Sequence, residues 1–178
     1  MDVVTGARVV EFAQLKHGSL FLADLGGRVV RAIKALWKPR PSAFSDDCLV
    51  TIGPFISEDQ GAPGVYHPRV LQARAVLDLT DTYRFVPSLD PSDLVTPVPV
   101  RRQTRGMVHL FKTRALVCVT SFGDGNAWTV DYLDVGSGEL LQEPDGPDLF
   151  VTKHWSLVQS DKEFRIAFDY TAPLTERT

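Results

Sequence analysis

The sequence predicts an α+β protein that is mainly β, built from antiparallel sheets or small barrels with one helix. Short runs of alternating apolar and polar residues continue almost to the C-terminus, and clusters of Gly, Pro and Asp separate them. The 178-residue chain is 44% hydrophobic and 23% charged, which are ordinary values for a globular protein. We therefore expect short strands and turns that bury a substantial core.

The segment from residue 28 to residue 38 allows two interpretations. As an amphipathic helix, it places five apolar residues on one face and three basic residues on the other. As a hairpin, Gly26 and Gly27 form a two-residue turn between 19–25 and 28–34, because glycine tolerates a positive φ. We favour the helix, since the apolar spacing holds for three turns and Pro39 then ends it. The apolar residues are Val29, Val30, Ile33, Leu36 and Trp37, and the basic ones are Arg31, Lys34 and Lys38.

The middle of the chain is rich in Pro and Gly. Residues 40–68 read as a long loop around one strand at 48–55, which could present a ligand or partner surface. Residues 70–86 alternate as one long strand or as two strands joined by a bend. A proline-rich linker at 91–105 then separates an N-terminal β unit, 1–90, from a C-terminal β unit, 106–178, with a single compact domain as the alternative.

The C-terminal unit contains four strand candidates of six or more residues, at 115–122, 127–135, 150–158 and 163–170. Turn-forming residues separate them, so we expect an antiparallel meander. The last candidate has the strongest alternation, with Phe164, Ile166, Phe168 and Tyr170 on one face.

The two units contain short segments of similar sequence. Leu20-Phe21 recurs as Leu110-Phe111, and 83–86 resembles 164–167. This similarity is compatible with a duplication of two β units of about 80 residues, although similar strands also arise by chance.

The two cysteines, Cys48 and Cys118, lie too far apart for a CxxC pair and indicate buried thiols in a reducing compartment. Residues 1–11 lack the basic stretch and apolar core of a signal peptide, and no run of about 20 apolar residues occurs. We therefore expect a cytoplasmic protein without a membrane span. A regular strand edge would allow a homodimer.

The sequence offers no strong catalytic or metal-binding motif. The four histidines are scattered singly, without a spacing that puts two metal ligands on one element. Gly136-Ser137-Gly138 lies between strands and is explained as a tight turn, so it does not predict a serine nucleophile. We expect neither a metal nor a cofactor.

Basic residues define one candidate anion-binding surface. Neutralising phosphates requires clustered Lys and Arg side chains, and the chain has two such clusters. However, the net charge is −3 and the pI is about 5.8, so a nucleic-acid partner is unfavoured. The clusters comprise Arg28, Arg31, Lys34 and Lys38, and Arg101, Arg102 and Arg105.

Aromatic residues and His67 define the other candidate site. Trp128 and Tyr132 share one face of a predicted strand, and either His154 or Trp155 could join them to stack a planar small molecule. Our leading hypothesis is a non-enzymatic ligand-binding or protein-interaction module. The alternative is a small enzyme in a barrel mouth. Its site would pair His67 with Asp46 or Asp47, or His154 with Asp131.

Overall fold

A computed structural model describes residues 7–37, 46–53, 62–95, 105–111, 113–122, 128–142, 150–160 and 165–172. Strands make up 65% of this part of the chain. In chain order they are β1 (Arg8–Glu11), β2 (Leu20–Leu25), β3 (Arg28–Trp37), β4 (Asp46–Gly53), β5 (Gly64–Tyr66), β6 (Ala75–Asp78), β7 (Tyr83–Pro87), β8 (Leu94–Val95), β9 (Val108–Phe111), β10 (Arg114–Phe122), β11 (Trp128–Asp134), β12 (Glu139–Leu141), β13 (Phe150–Thr152), β14 (His154–Gln159) and β15 (Ile166–Thr171). Short 3-10 turns occur at Phe12–Gln14 and Pro68–Val70.

Six strands close into a barrel in the order β3, β4, β5, β10, β11 and β12. Four of the six pairings are antiparallel. The other two, β5 with β10 and β12 with β3, are parallel. These two parallel pairs join strands from the two halves of the chain, so the barrel contains three strands from each half.

The two halves of the chain repeat the same order of antiparallel pairings. In the first half β2, β3, β4 and β5 pair in succession, and β6 pairs with β2. In the second half β9, β10, β11 and β12 do the same, and β13 pairs with β9. This repetition is compatible with a duplication of two β units. The unit boundaries at 1–90, 91–105 and 106–178 stay a prediction.

A second sheet, in the order β15, β14, β7, shares its core with the barrel. Trp155 of β14 is fully buried at this junction, and its indole N–H donates to the carbonyl oxygen of Gly106 at 2.9 Å. The rings of Phe85 and Tyr170 lie 4.8 and 5.0 Å from it. The Trp155 side chain is therefore a packing element, because large aromatic groups supply much of the apolar area that a core buries.

The predicted helix at 28–38 is wrong, because residues 28–37 form strand β3 and pair with β2 as the alternative hairpin. Gly26 and Gly27 occupy its turn with φ of 63° and 83°. The strand is buried on both faces, with Val30 packing outside the barrel and Ile33 inside it. Apolar residues on both faces of one strand reproduce the spacing of a helix.

The other strand predictions hold in part. The candidates at 115–122 and 127–135 correspond to β10 and β11, which pair antiparallel. The simple meander does not form, because β11 pairs onward with the short strand β12, and β13 pairs with β9. Residues 70–86 form two strands, β6 and β7, and the loop at 40–68 contributes β4 and β5.

The alternation in the last strand is partly confirmed. Tyr170 packs into the core, whereas Ile166 is 64% exposed. The register of β14 against β15 shifts between Leu157 and Val158, which changes the face presented at this end of the strand. Phe164 lies outside the described residues. In the described part of the chain, no helix is long and apolar enough to cross a membrane.

Candidate ligand site in the barrel mouth

A cavity of about 250 Å³ opens at one end of the barrel, which we call the barrel mouth. Trp37 ends β3, Asp46 begins β4, His67 follows β5, and Ser121 lies next to the end of β10. These strand ends lie together because β5 pairs parallel with β10, and β4 pairs antiparallel with β3 and β5. Cys48, Val65 and Tyr66 complete a largely apolar wall.

A buried polar pair adjoins this wall. Ser121 Oγ donates a hydrogen bond to Asp131 Oδ2 at 2.5 Å, and both residues are 5% exposed. Ser121 Oγ also lies 2.6 Å from Thr129 Oγ1. A hydroxyl has one proton, so when Ser121 donates to the carboxylate, Thr129 donates to Ser121. The Ser121 hydroxyl consequently has only acceptor capacity left for a molecule in the cavity.

Burial raises the pKa of the Asp131 carboxyl, and the Ser121 hydrogen bond opposes that rise. In the described part of the chain, no basic side chain forms an ion pair with Asp131. Burying a carboxylate without a counter-charge costs free energy. Ionisable groups whose pKa is shifted by such burial are typical of functional sites.

Cys48 in the cavity wall is a poor nucleophile. Burial raises the pKa of its thiol to about 12, with a further contribution from the charges of Asp47, Asp131 and Asp46. Its Sγ–H points to the carbonyl oxygen of Ala35 at 3.5 Å. The prediction that Cys48 and Cys118 are buried free thiols is confirmed. Since the thiolate is the reactive form, the cavity offers no cysteine chemistry near neutral pH.

The two acids at the start of β4 differ in their environments. Asp47 accepts a hydrogen bond from His17 Nε2 at 2.8 Å and pairs with Lys34 Nζ at 2.9 Å. Burial alone would raise the pKa of Asp47, but these two partners outweigh it and lower that pKa. Asp46 is exposed at the rim and has no ion pair with any described residue. Asp46 is thus the carboxylate most accessible to a ligand.

His67 lies at the same rim and has a defined tautomer. The backbone N–H of Arg69 donates to His67 Nδ1 at 3.1 Å, which begins the 3-10 turn at Pro68–Val70. The neutral ring therefore carries its proton on Nε2. The structure brings His67, Asp46 and Asp47 into the wall of one cavity, as the enzyme alternative requires, although no direct hydrogen bond joins them.

His154 belongs to a separate network on the second sheet. Its Nε2 lies 2.7 Å from Asp169 Oδ1, and its Nδ1 lies 3.1 Å from Asp93 Oδ2. Ser156 also donates to Asp169, at 2.6 Å. The hydrogen bond to Asp169 raises the pKa of His154, burial opposes this, and Asp93 adds to the rise. The suggested pairing of His154 with Asp131 does not form, because β14 and β11 belong to different sheets and both ring nitrogens of His154 contact other carboxylates.

The predicted aromatic platform does not form, because β11 and β14 belong to different sheets. Tyr132 and Trp155 are both 0% exposed and are core residues. Tyr132 packs edge-on against the ring of His109 at 5.0 Å, on the outer side of β10 and β11. Trp128 begins β11, but its side chain lies outside the described part of the structure.

The basic residues do not form the single helical face that was expected. Lys34 is 3% exposed and lies 3.3 Å from the carbonyl oxygens of Phe12 and Ala13, so it is a structural cation. Arg31 lies over the ring of Phe168 at 5.7 Å. Arg28 lies at the exposed start of β3, and Arg105 is half-buried. Lys38, Arg101 and Arg102 lie outside the described residues.

Two residues that line the mouth, Trp37 and Ser121, were missed in the sequence, and Asp131 was considered only as a partner of His154. Asp131 lies two residues before Leu133, a core residue, and so shares its face of β11. This alternation was the signal in the sequence that Asp131 faces the core. Within the described residues, no group of three or more His, Cys, Asp or Glu side chains could hold a metal ion. Comparisons with protein-family models, with curated proteins and with solved structures returned no match.

Proposed function

We propose that this protein is a non-enzymatic binding module that takes a small organic ligand in the barrel mouth. The observation that carries the proposal is the cavity itself, whose largely apolar wall contains the buried Ser121 residue, hydrogen-bonded to the Asp131 carboxylate. Ligand sites typically combine apolar walls with a few well-placed polar groups.

The size of the cavity limits the ligand. Its volume of about 250 Å³ lies below the range of about 300–1,000 Å³ that is common for drug-sized ligands. Trp37 and Tyr66 supply aromatic surface, and Val65 supplies aliphatic surface. A compound with one ring, or with a short aliphatic chain and one polar end, fits this volume and chemistry.

A thermal-shift screen of metabolites tests the proposal, because a ligand that binds only the folded state raises the melting temperature. The screen is run on the natural protein and on Val65→Trp, which fills the cavity. Val29→Trp is the matched control, since Val29 lies on β3 away from the mouth and is 62% exposed. We expect hits on the natural protein and on V29W that disappear in V65W.

A second filling variant guards against misfolding. His67→Trp places the same ring at the exposed rim of the cavity and leaves the barrel interior unchanged. Hits that persist in both V65W and H67W would place the ligand elsewhere and overturn the proposal. A screen without hits on a protein that unfolds cooperatively would also count against it.

A small acid–base enzyme is the second candidate, and one observation favours it. His67, Asp46 and Asp47 meet in the wall of the same cavity, which allows an imidazole and a carboxylate to act on one bound molecule. Incubation with each hit, followed by mass spectrometry, distinguishes the candidates. An enzyme converts the hit and loses turnover in His67→Gln, whereas a binding module returns the hit unchanged.

A further inference from the structure

We propose that the ligand of the barrel mouth is a small organic cation, such as an amine, whose N–H groups donate to Ser121 and to the carboxylate at the rim. This inference rests on the proposed function and adds the chemical class of the ligand. It depends on which polar atoms of the cavity donate hydrogen bonds and which accept them.

The polar group deepest in the wall accepts and does not donate. The single proton of the Ser121 hydroxyl is committed to Asp131 Oδ2 at 2.5 Å, and Thr129 lies at 2.6 Å on the other side. The remaining lone pair of Ser121 Oγ therefore calls for a donor. Asp131 lies behind Ser121, so the acceptor also carries the field of a buried negative charge.

The charge around the cavity favours the same class of ligand. The charges of Asp46, Asp47 and Asp131 all act on the Cys48 thiol in the wall, which shows that they share its surroundings. Lys34 and His17 bind Asp47, whereas no described basic side chain pairs with Asp46 or Asp131. Among the described residues, the cavity thus has an excess of negative charge that a bound cation would neutralise.

The walls suit an organic cation better than a hydrated ion. Trp37 and Tyr66 present aromatic rings, which attract cations through their faces, and Val65 offers apolar contact. Within the described residues no metal-binding group of side chains is present, and the wall is mostly apolar. A protonated amine on a ring or a short chain satisfies both the acceptors and the apolar surface.

Three probes of similar size test the inference, namely benzylamine, benzyl alcohol and benzoate. Their affinities are measured by titration in protein-observed NMR, with V65W as the filled-cavity control. A charge-assisted hydrogen bond in a partly buried site contributes about tenfold or more in affinity. We expect benzylamine to bind at least about tenfold more tightly than benzyl alcohol, and benzoate not to bind.

Charge variants identify the acceptors. Asp131→Asn and Asp46→Asn should each weaken the binding of benzylamine by a larger factor than the binding of benzyl alcohol. Asp81→Asn removes the same charge from an exposed turn and should affect neither probe. If benzyl alcohol binds in the mouth as tightly as benzylamine, the binding function stands and the cation class is refuted. If no probe shifts the mouth residues, the cation class fails, and the binding function fails with it when the metabolite screen gives no hit that V65W removes.

Discussion

Substituting Gly138 by alanine should destabilise the barrel strongly, because Gly138 lies at the closing pair of β12 and β3. Its carbonyl oxygen accepts from the N–H of Leu36 at 2.8 Å, and its φ is 73°. A Cβ there would overlap the backbone nitrogen of Gly18. It would also lie 2.7 Å from the carbonyl carbon of His17 and 2.8 Å from the carbonyl oxygen of Lys34. None of these backbone atoms can rotate away.

The expected cost has two parts. A left-handed conformation costs a non-glycine residue about 1–2 kcal/mol, and overpacking against fixed atoms costs about 1–3 kcal/mol. The sum is about 2–5 kcal/mol in the free energy of unfolding. For a chain of this length that lowers the melting temperature by roughly 4–20 °C.

Gly26→Ala is the matched control, because Gly26 has a similar φ of 63° and a Cβ added to it would have no atom within 4 Å. It should cost only the conformational part, about 1–2 kcal/mol. Urea unfolding of both variants, followed by circular dichroism, measures the difference. If G138A loses no more stability than G26A, the backbone at Gly138 does not pack as closely against Gly18, His17 and Lys34 as these distances require.

Three further predictions concern titratable groups. The raised pKa of His154 means that its contribution to stability is complete below about pH 6.5 and is lost as pH rises through the folded-state value. Thermal melts of the natural protein should show this loss, and those of His154→Gln should not. Cys48 should resist iodoacetamide at pH 8 until the protein unfolds, because its pKa is raised to about 12. Rapid labelling of the folded protein, detected by mass spectrometry, would contradict its burial. Lys34→Ala should lower the free energy of unfolding by about 1–3 kcal/mol. This is less than the loss of a fully buried ion pair would cost, because the side chain of Asp47 is 41% exposed. Lys34→Met should lower the free energy of unfolding by less than Lys34→Ala, because it keeps the packing over Phe12. Equal losses in urea titrations of the two variants would show that this packing contributes nothing.

The β class could be predicted from sequence because alternation and turn residues are local signals. The hairpin at Gly26-Gly27 was visible for the same reason. The error at 28–37 arose because a strand buried on both faces carries a nearly continuous apolar run, which periodicity cannot distinguish from a helix. Strand β12 was missed because three residues, Glu139–Leu141, give too short a pattern.

The site was less predictable than the fold. Pairing His67 with Asp46 or Asp47 in a barrel mouth was among the sequence hypotheses, and the structure places these residues around one cavity. The importance of Asp131 depends on its contact with Ser121, which requires knowing that β10 and β11 pair in this register. Trp155 was wrongly assigned to a ligand platform, because sequence does not show whether a large ring fills a core or faces a ligand.

The two parallel pairs that close the barrel have a consequence for synthesis of the chain. Strand β3 is complete at Trp37, but its partner Leu140 lies about a hundred residues further along the chain. At translation rates of about 5–20 residues per second, the end of β3 at Leu36 and Trp37, beyond the part that pairs with β2, waits roughly 5–20 s for its partner. During that interval it can pair with another nascent chain. Cells that make this protein quickly and at high concentration should therefore lose more of it to aggregation than cells that make it slowly.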